Sequence, residues 1–223
     1  MSHPQKRVVI TQDIYNQPEE PFVQFRLTYD GPLRSTQRKK PSAEERHDLR
    51  RKFHAQLRRL WEINPFLKTG DAGGPEFYAL ESSREPSFLK AEELAAIHRV
   101  GNFQFVPLVT KRLDLICGLD ILFLRQDKPG NLWRGDIDNR IKTLIDTLKK
   151  PDADDKYYLS STPAADEMPL YCLLEDDALI SKVAVESDQR LQVAPSGDIG
   201  EVALVITVNL RPYGMHVGNI PFG

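Results

Sequence analysis

Cysteine is scarce in this chain. There are two in 223 residues, Cys117 and Cys172, and neither has a second ligand at metal-site spacing. That excludes a disulfide-built scaffold and a cysteine zinc site, and fits reduced thiols in a cytoplasmic protein. Long apolar runs are missing too. None approaches the roughly 18 residues of a membrane span. The Val8-Val9-Ile10 segment behind the basic N-terminus is too short for a signal-peptide core. There is no Gly-x-x-x-x-Gly-Lys-Ser/Thr loop and no Gly-x-Ser-x-Gly elbow. A nucleotide cofactor and serine esterase chemistry therefore have no support. His47, His54 and His98 lack ligand spacing and read as surface or helix residues.

Excess charge of one sign is also absent, since the net charge is −2. Its distribution is uneven. Between Arg34 and Arg59 the basic residues are Arg34, Arg38, Lys39, Lys40, Arg46, Arg50, Arg51, Lys52, Arg58 and Arg59, against Glu44, Glu45 and Asp48, a local charge of +7. The stretch from Asp127 to Asp188 is acidic on balance. A phosphate-gripping arm beside a metal pocket would have this pattern, and so would a solvated helix face beside an acidic loop.

Residues 22–29 alternate as a strand, with Val23, Phe25, Leu27 and Tyr29 on one face, and Asp30-Gly31-Pro32 ends it. Ser42-Ala43-Glu44-Glu45 is a capping box opening a helix. The buried stripe of that helix is Leu49, Phe53, Leu57, Leu60 and Trp61, with Arg46, Arg50, Arg51 and Arg58 mostly off it. A Gly/Pro/Ser-rich stretch from Asn64 to Pro86 reads as a long loop, followed by a short helix near residues 88–98. Segments 103–106 and 113–123 read as paired strands. A helix follows Asp138, with Ile137, Ile141, Leu144, Ile145 and Leu148 as its stripe and Lys149-Lys150-Pro151 as its stop. Residues 152–169 read as a polar, proline-broken loop, 179–185 and 202–210 as strands, and the tail from Arg211 as loose. The predicted fold is α+β, a mixed and largely antiparallel sheet with helices packed on one face. It forms one domain over 1–223, with insertions near 64–99 and 152–169.

The chemistry concentrates in two segments. In Gly135-Asp136-Ile137-Asp138-Asn139-Arg140-Ile141-Lys142, two carboxylates stand two residues apart at the mouth of a helix. Extended backbone there would aim both the same way. Lys142 lies one turn beyond Asp138, with Asp146 a further turn on; Lys142 can pair with Asp138 or reach a phosphate. In Leu174-Glu175-Asp176-Asp177-Ala178, three successive acids precede a strand, where they have no evident local use. Close like charges raise one another's pKa unless a cation relieves them. Asp136, Asp138 and Asp177 or Asp176 can together offer Mg²⁺ the hard oxygens it needs, and carboxylate-held metal is a standard means of phosphodiester cleavage. The alternatives are a helix cap with a surface salt bridge, and a plain acidic turn. Trp133, beside Arg134, can stack on an unpaired base or pack in the core.

Asp136-Ile137-Asp138-Asn139-Arg140-Ile141-Lys142 and Leu174-Glu175-Asp176-Asp177-Ala178-Leu179-Ile180 resemble the paired motifs of the RusA-like Holliday junction resolvases. The close likeness covers about fifty residues, less the insertion between the two segments. It implies an α+β Mg²⁺- or Mn²⁺-dependent endonuclease, working as a homodimer and nicking opposed strands of branched DNA. By position, Asp136, Asp138 and Asp177 become metal-binding carboxylates, with Asp176 beside them, and Lys142 the catalytic lysine. The charge pattern makes Arg34, Arg38, Lys39, Lys40 and Arg134 the expected DNA contacts. The chain departs from the family in its extra length, and in having Gly135 where a basic residue usually precedes the first aspartate.

Overall fold

The fold, seen in a computed structural model, is described for residues 23–33, 41–64, 67–68, 90–126, 137–192 and 200–214, with Asn219 and Phe222. It is a mixed α+β arrangement with two sheets. The strands are β1 (Val23–Pro32), β2 (Arg99–Val100), β3 (Phe103–Val109), β4 (Leu115–Arg125), β5 (Leu170–Leu174), β6 (Ile180–Gln189) and β7 (Glu201–Pro212). The helices are α1 (Ala43–Ile63), α2 (Ala91–Ile97), α3 (Ile137–Leu148) and α4 (Lys156–Ser160).

The larger sheet has the order β1-β7-β4-β6. β7 is antiparallel to both neighbours, and β4 pairs in parallel with β6. The smaller sheet is β2-β3-β5, with β3 parallel to β5. The strand pairings expected from adjacency therefore do not form. β3 and β4 lie in different sheets, and β7 separates β1 from β4 rather than pairing with β6. Alternation alone does not distinguish a hairpin from two strands that part at a tight turn, and here Lys111–Leu113 makes that turn. β5 was not expected at all. It is five residues long and buried in the smaller sheet, too short for its periodicity to show.

On β4 every odd position from Leu115 to Arg125 is buried, and the even residues of β7 from Val202 to Leu210 meet them across the sheet. α1 packs on this core face with Leu49, Phe53, Leu57 and Trp61. Its start is the expected capping box: Ser42 Oγ accepts from Glu45 N–H, and Glu45 accepts from Ser42 N–H. α3 presents Ile141, Leu144 and Leu148 to the same core. The opposite face of the sheet carries a polar chain across all four strands. Gln24 bonds Asn209 at 2.8 Å, Asn209 bonds Asp120 at 2.8 Å, and Lys182 pairs with Asp120 at 2.9 Å.

The segment expected as a polar, proline-broken loop at 152–169 holds α4 and stays largely exposed, but two of its side chains, Tyr158 and Glu167, are buried. Tyr158 is buried against Phe103 and Phe105 in a second apolar cluster. Its hydroxyl lies 3.0 Å from His47 Nδ1, and His47 Nε2 lies 2.9 Å from Glu167. His54 accepts the Tyr171 N–H on Nδ1 at 2.8 Å and donates to the Asp166 carbonyl from Nε2. His47 and His54 lie on α1 and His98 ends α2, so they are helix residues, but all three are buried rather than at the surface. Arg50, expected off the stripe, is buried as well. Within the tail expected to be loose from Arg211, β7 continues to Pro212, Asn219 and Phe222 are buried, and Asn219 donates to the Leu113 carbonyl at 2.8 Å. Both cysteines are free and buried, and burial pushes each thiol up to about 12.

Two outcomes follow from this packing. Gly101 turns β2 into β3 at φ +57, and a Cβ there would run into the Tyr158 carbonyl. Gly101→Ala should cost about 2 kcal/mol or more, read as a lower urea midpoint. Burial is the first cause holding the three histidines below the ordinary 6.5. A group whose folded pKa is depressed contributes fully above its unfolded pKa and loses that contribution as pH falls through the folded value. Stability should therefore hold from neutral pH down to about 6.5 and decline below it. In His47→Gln the decline should be shallower, checked by melting temperature against pH.

Candidate functional site

α3 begins at Ile137, so Asp138 sits inside the first helical turn rather than at the cap. Ile137 packs against the core, as expected, and Asp138 faces solvent. Lys142 is exposed one turn further on. Among the described residues no ion pair joins Asp138, Lys142 or Asp146, although i,i+4 spacing allows it. A carboxylate and an ammonium are thus uncommitted on one flank of a helix N-terminus, where the dipole favours anions.

Glu175, Asp176 and Asp177 lie elsewhere. Leu174 bridges Lys149 at the other end of α3, and Lys150 N–H donates to the Leu174 carbonyl at 2.9 Å. The rise from Asp138 to Lys149 is about 16 Å. Oxygens sharing one Mg²⁺ at the usual bond length of roughly 2 Å lie within a few ångströms of each other. Asp177, held 3.9 Å from Lys149 Nζ, is thus tied to the C-terminal end of α3, and Asp138 stands at its N-terminal end. Topology explains the separation. β4 runs away from this end, α3 runs back, and β6 starts again beside Cys117 near the start of β4. The crossover puts the residue opening the helix and the residues opening the next strand at opposite ends.

The second acidic segment also has local uses that its sequence does not reveal. Glu175 accepts the Lys111 N–H at 2.9 Å. Asp176 caps the short turn at Asp177–Leu179 by accepting from Ala178 N–H at 2.9 Å, and lies 3.4 Å from Lys111 Nζ. The Ala178 N–H bond is the main cause holding its carboxyl below the ordinary value. Asp177 lies 3.9 Å from Lys149 Nζ, which also lies 3.5 Å from Asp152. Among the described residues no group of three or more His, Cys, Asp or Glu is disposed to hold a metal ion.

Asp136, Trp133 and the expected DNA contacts Arg34, Arg38, Lys39, Lys40 and Arg134 lie outside the described residues. The rest of the basic window divides in two. Arg51 pairs with Glu167 at 3.0 Å, Arg58 and Arg59 pair with Glu62, and Arg50 is buried. Arg46 and Lys52 form no ion pair among the described residues, and line a pocket of about 200 Å³ between β1, α1 and α3, with Tyr29, Leu49 and Thr143. Glu45 and Asp48 line it too, so it is not a purely cationic cradle. No signal in the sequence singles out Arg50 and Arg51 from Arg46, because their partners come from about 100 residues away.

No protein-family model, curated protein or solved structure matches this chain. No helix among the described residues is long and apolar enough to cross a membrane.

The geometry makes a distinction that the motif does not. If a divalent cation binds at the start of α3, Mg²⁺ or Mn²⁺ should raise the melting temperature, by about 2.7 kcal/mol of stability at a hundredfold excess over Kd. Asp138→Asn should abolish the rise and Asp177→Asn should leave it. Equal loss in both variants would mean that the two ends of α3 share one ion.

Proposed function

We propose that this chain is an endonuclease acting on branched DNA, of the RusA-like Holliday junction resolvase kind, with its chemistry at the N-terminal end of α3. The observation that carries this reading is the state of Asp138 and Lys142: one turn apart, exposed, and not paired with each other. A surface lysine beside an aspartate ordinarily gains a few tenths of a kcal/mol by pairing with it. Leaving both open suits residues that receive a ligand. Lys142 would meet a phosphodiester oxygen and offset the charge that grows as the phosphorus is attacked. Mg²⁺ or Mn²⁺ belongs to the same proposal, held by Asp136 and Asp138 and supplying an activated water. Asp176 and Asp177 are left out of that role. Arg34, Arg38, Lys39, Lys40 and Arg134 would grip phosphates, with Arg46 and Lys52 beside them. Two copies would nick the two opposed strands.

A second reading is favoured by the other acidic segment. Its carboxylates serve as a cap and as ion-pair partners, as they would in a non-catalytic DNA-binding or scaffold protein.

The test is cleavage of a labelled four-way junction in Mg²⁺ and in Mn²⁺, beside a linear duplex of the same sequence. Paired nicks that vanish in Asp138→Asn support the nuclease. Lys142→Ala should lower the cleavage rate by about 10² or more while junction affinity falls only a few-fold. Tight junction binding without cleavage in either metal would replace the enzyme with the binding protein, and equal loss of binding and cleavage in Lys142→Ala would make that lysine an ordinary phosphate contact.

A further inference from the structure

The two edges of the larger sheet are treated differently. At the β1 edge the Gln56 side chain closes the ladder by accepting the Thr28 N–H at 2.9 Å and donating to the Thr28 carbonyl at 2.7 Å. The outer edge of β6 has no such cover among the described residues. Among the described residues its only strand partner is β4, and no side chain bonds its backbone between Lys182 and Ser187. An open, regular edge is a template for another strand unless something blocks it.

The residues of this edge continue the sheet as if it went on. Val183 pairs with Leu119 and Val185 with Ile121, so both valines lie on the buried face of the sheet. Yet they are 42% and 39% exposed. On the other face the polar chain from Gln24 ends at Lys182, the last strand it can reach.

We infer that β6 pairs antiparallel with β6 of a second copy, about a two-fold axis passing between the two Ala184 residues. Directly opposed residues of an antiparallel pair share a face. This register sets Lys182 against Glu186, Val183 against Val185 and Ser181 against Ser187, each twice by symmetry. Both valines gain an apolar partner, and the polar chain passes through Lys182 to a carboxylate of the other copy. Moving the axis to Val183 or to Val185 sets the remaining valine against a serine. The result is one eight-stranded sheet, with four strands from each copy. A two-fold contact of this kind is self-complementary and closes at two copies. The inference does not rest on the nuclease reading, since it uses neither α3 nor DNA.

Sedimentation velocity of the full chain at micromolar concentration should show a species of twice 25.4 kDa. Lys182→Glu alone, or Glu186→Lys alone, places like charges opposite each other and should weaken the dimer about tenfold or more. The double variant Lys182→Glu/Glu186→Lys restores opposite charges only in this register and should recover the dimer. Ala184→Cys supplies an independent check. Opposed Cα atoms in an antiparallel pair lie about 4.5–5.5 Å apart, within disulfide range. Cys117 and Cys172 are buried, so mild oxidation should cross-link two copies through the introduced thiol alone. A monomer at all concentrations, or a dimer indifferent to the single reversals and not cross-linked through position 184, would overturn the inference.

Discussion

Arg50 is a buried guanidinium with no carboxylate partner among the described residues, and the arrangement of the helices depends on where its charge goes. Nη2 donates to the Asp146 carbonyl at 2.9 Å, Nε to the Lys149 carbonyl at 3.2 Å, and Nη1 to the Tyr158 hydroxyl. The Asp146 carbonyl belongs to the last turn of α3 and the Lys149 carbonyl follows it directly, where a helix has unsatisfied acceptors and the negative end of its dipole. One side chain of α1 thus closes the end of α3 and anchors the segment that follows it. The Tyr158 hydroxyl, accepting from Arg50, turns its proton to His47 Nδ1, which leaves Nε2–H for Glu167. Removing the guanidinium would orphan acceptors on two elements at once, a loss greater than that of a single buried hydrogen bond.

This anchor also gives the two ends of α3 different surroundings. Its C-terminal end is sealed by Arg50 and flanked by the β5–β6 turn, and among the described residues Asp138 and Lys142 stay exposed towards its other end. The acids of the β5–β6 turn stabilise that turn: one caps it, and Lys111 and Lys149 neutralise charge at its rim. Their exposure tempers the energy of the ion pairs, but the backbone bonds to Glu175 and Asp176 fix the loop as β5 leaves one sheet and β6 enters the other. Three adjacent carboxylates therefore need no metal to explain them.

Much of the fold is legible in local patterns. The capping box at Ser42, the stripe through Phe53 and Leu57, the stripe of α3 and the alternation of β4 and β7 all reappear as elements. Each is a signal carried within a dozen residues. What is not legible is set by distant partners. Which strands pair, whether Arg50 is buried, and whether His47 is neutral depend on residues about 100 positions away. The insertion at 152–169 reads as a polar loop because its buried aromatic anchor, Tyr158, is surrounded in sequence by polar residues. The candidate site divides the same way. The placement of Asp138 and Lys142 on one helix flank is readable from spacing. The meeting of Asp138 with Asp177 is a question of topology, and the fold ties them to opposite ends of α3.

The two faces of the larger sheet do different work. The core face supplies stability through area removed from water. The outer face supplies alignment, because the chain Gln24–Asn209–Asp120–Lys182 places one polar group per strand in a single bonded line. Exposed links of this kind add little energy each, yet a one-residue slip of any strand would break the line and turn that strand's core residues outward. The line ends on a lysine at an uncapped edge, two residues before the residue about which the strand is self-complementary. Charge there can be altered without disturbing the core face, so association and folding are separable properties of β6.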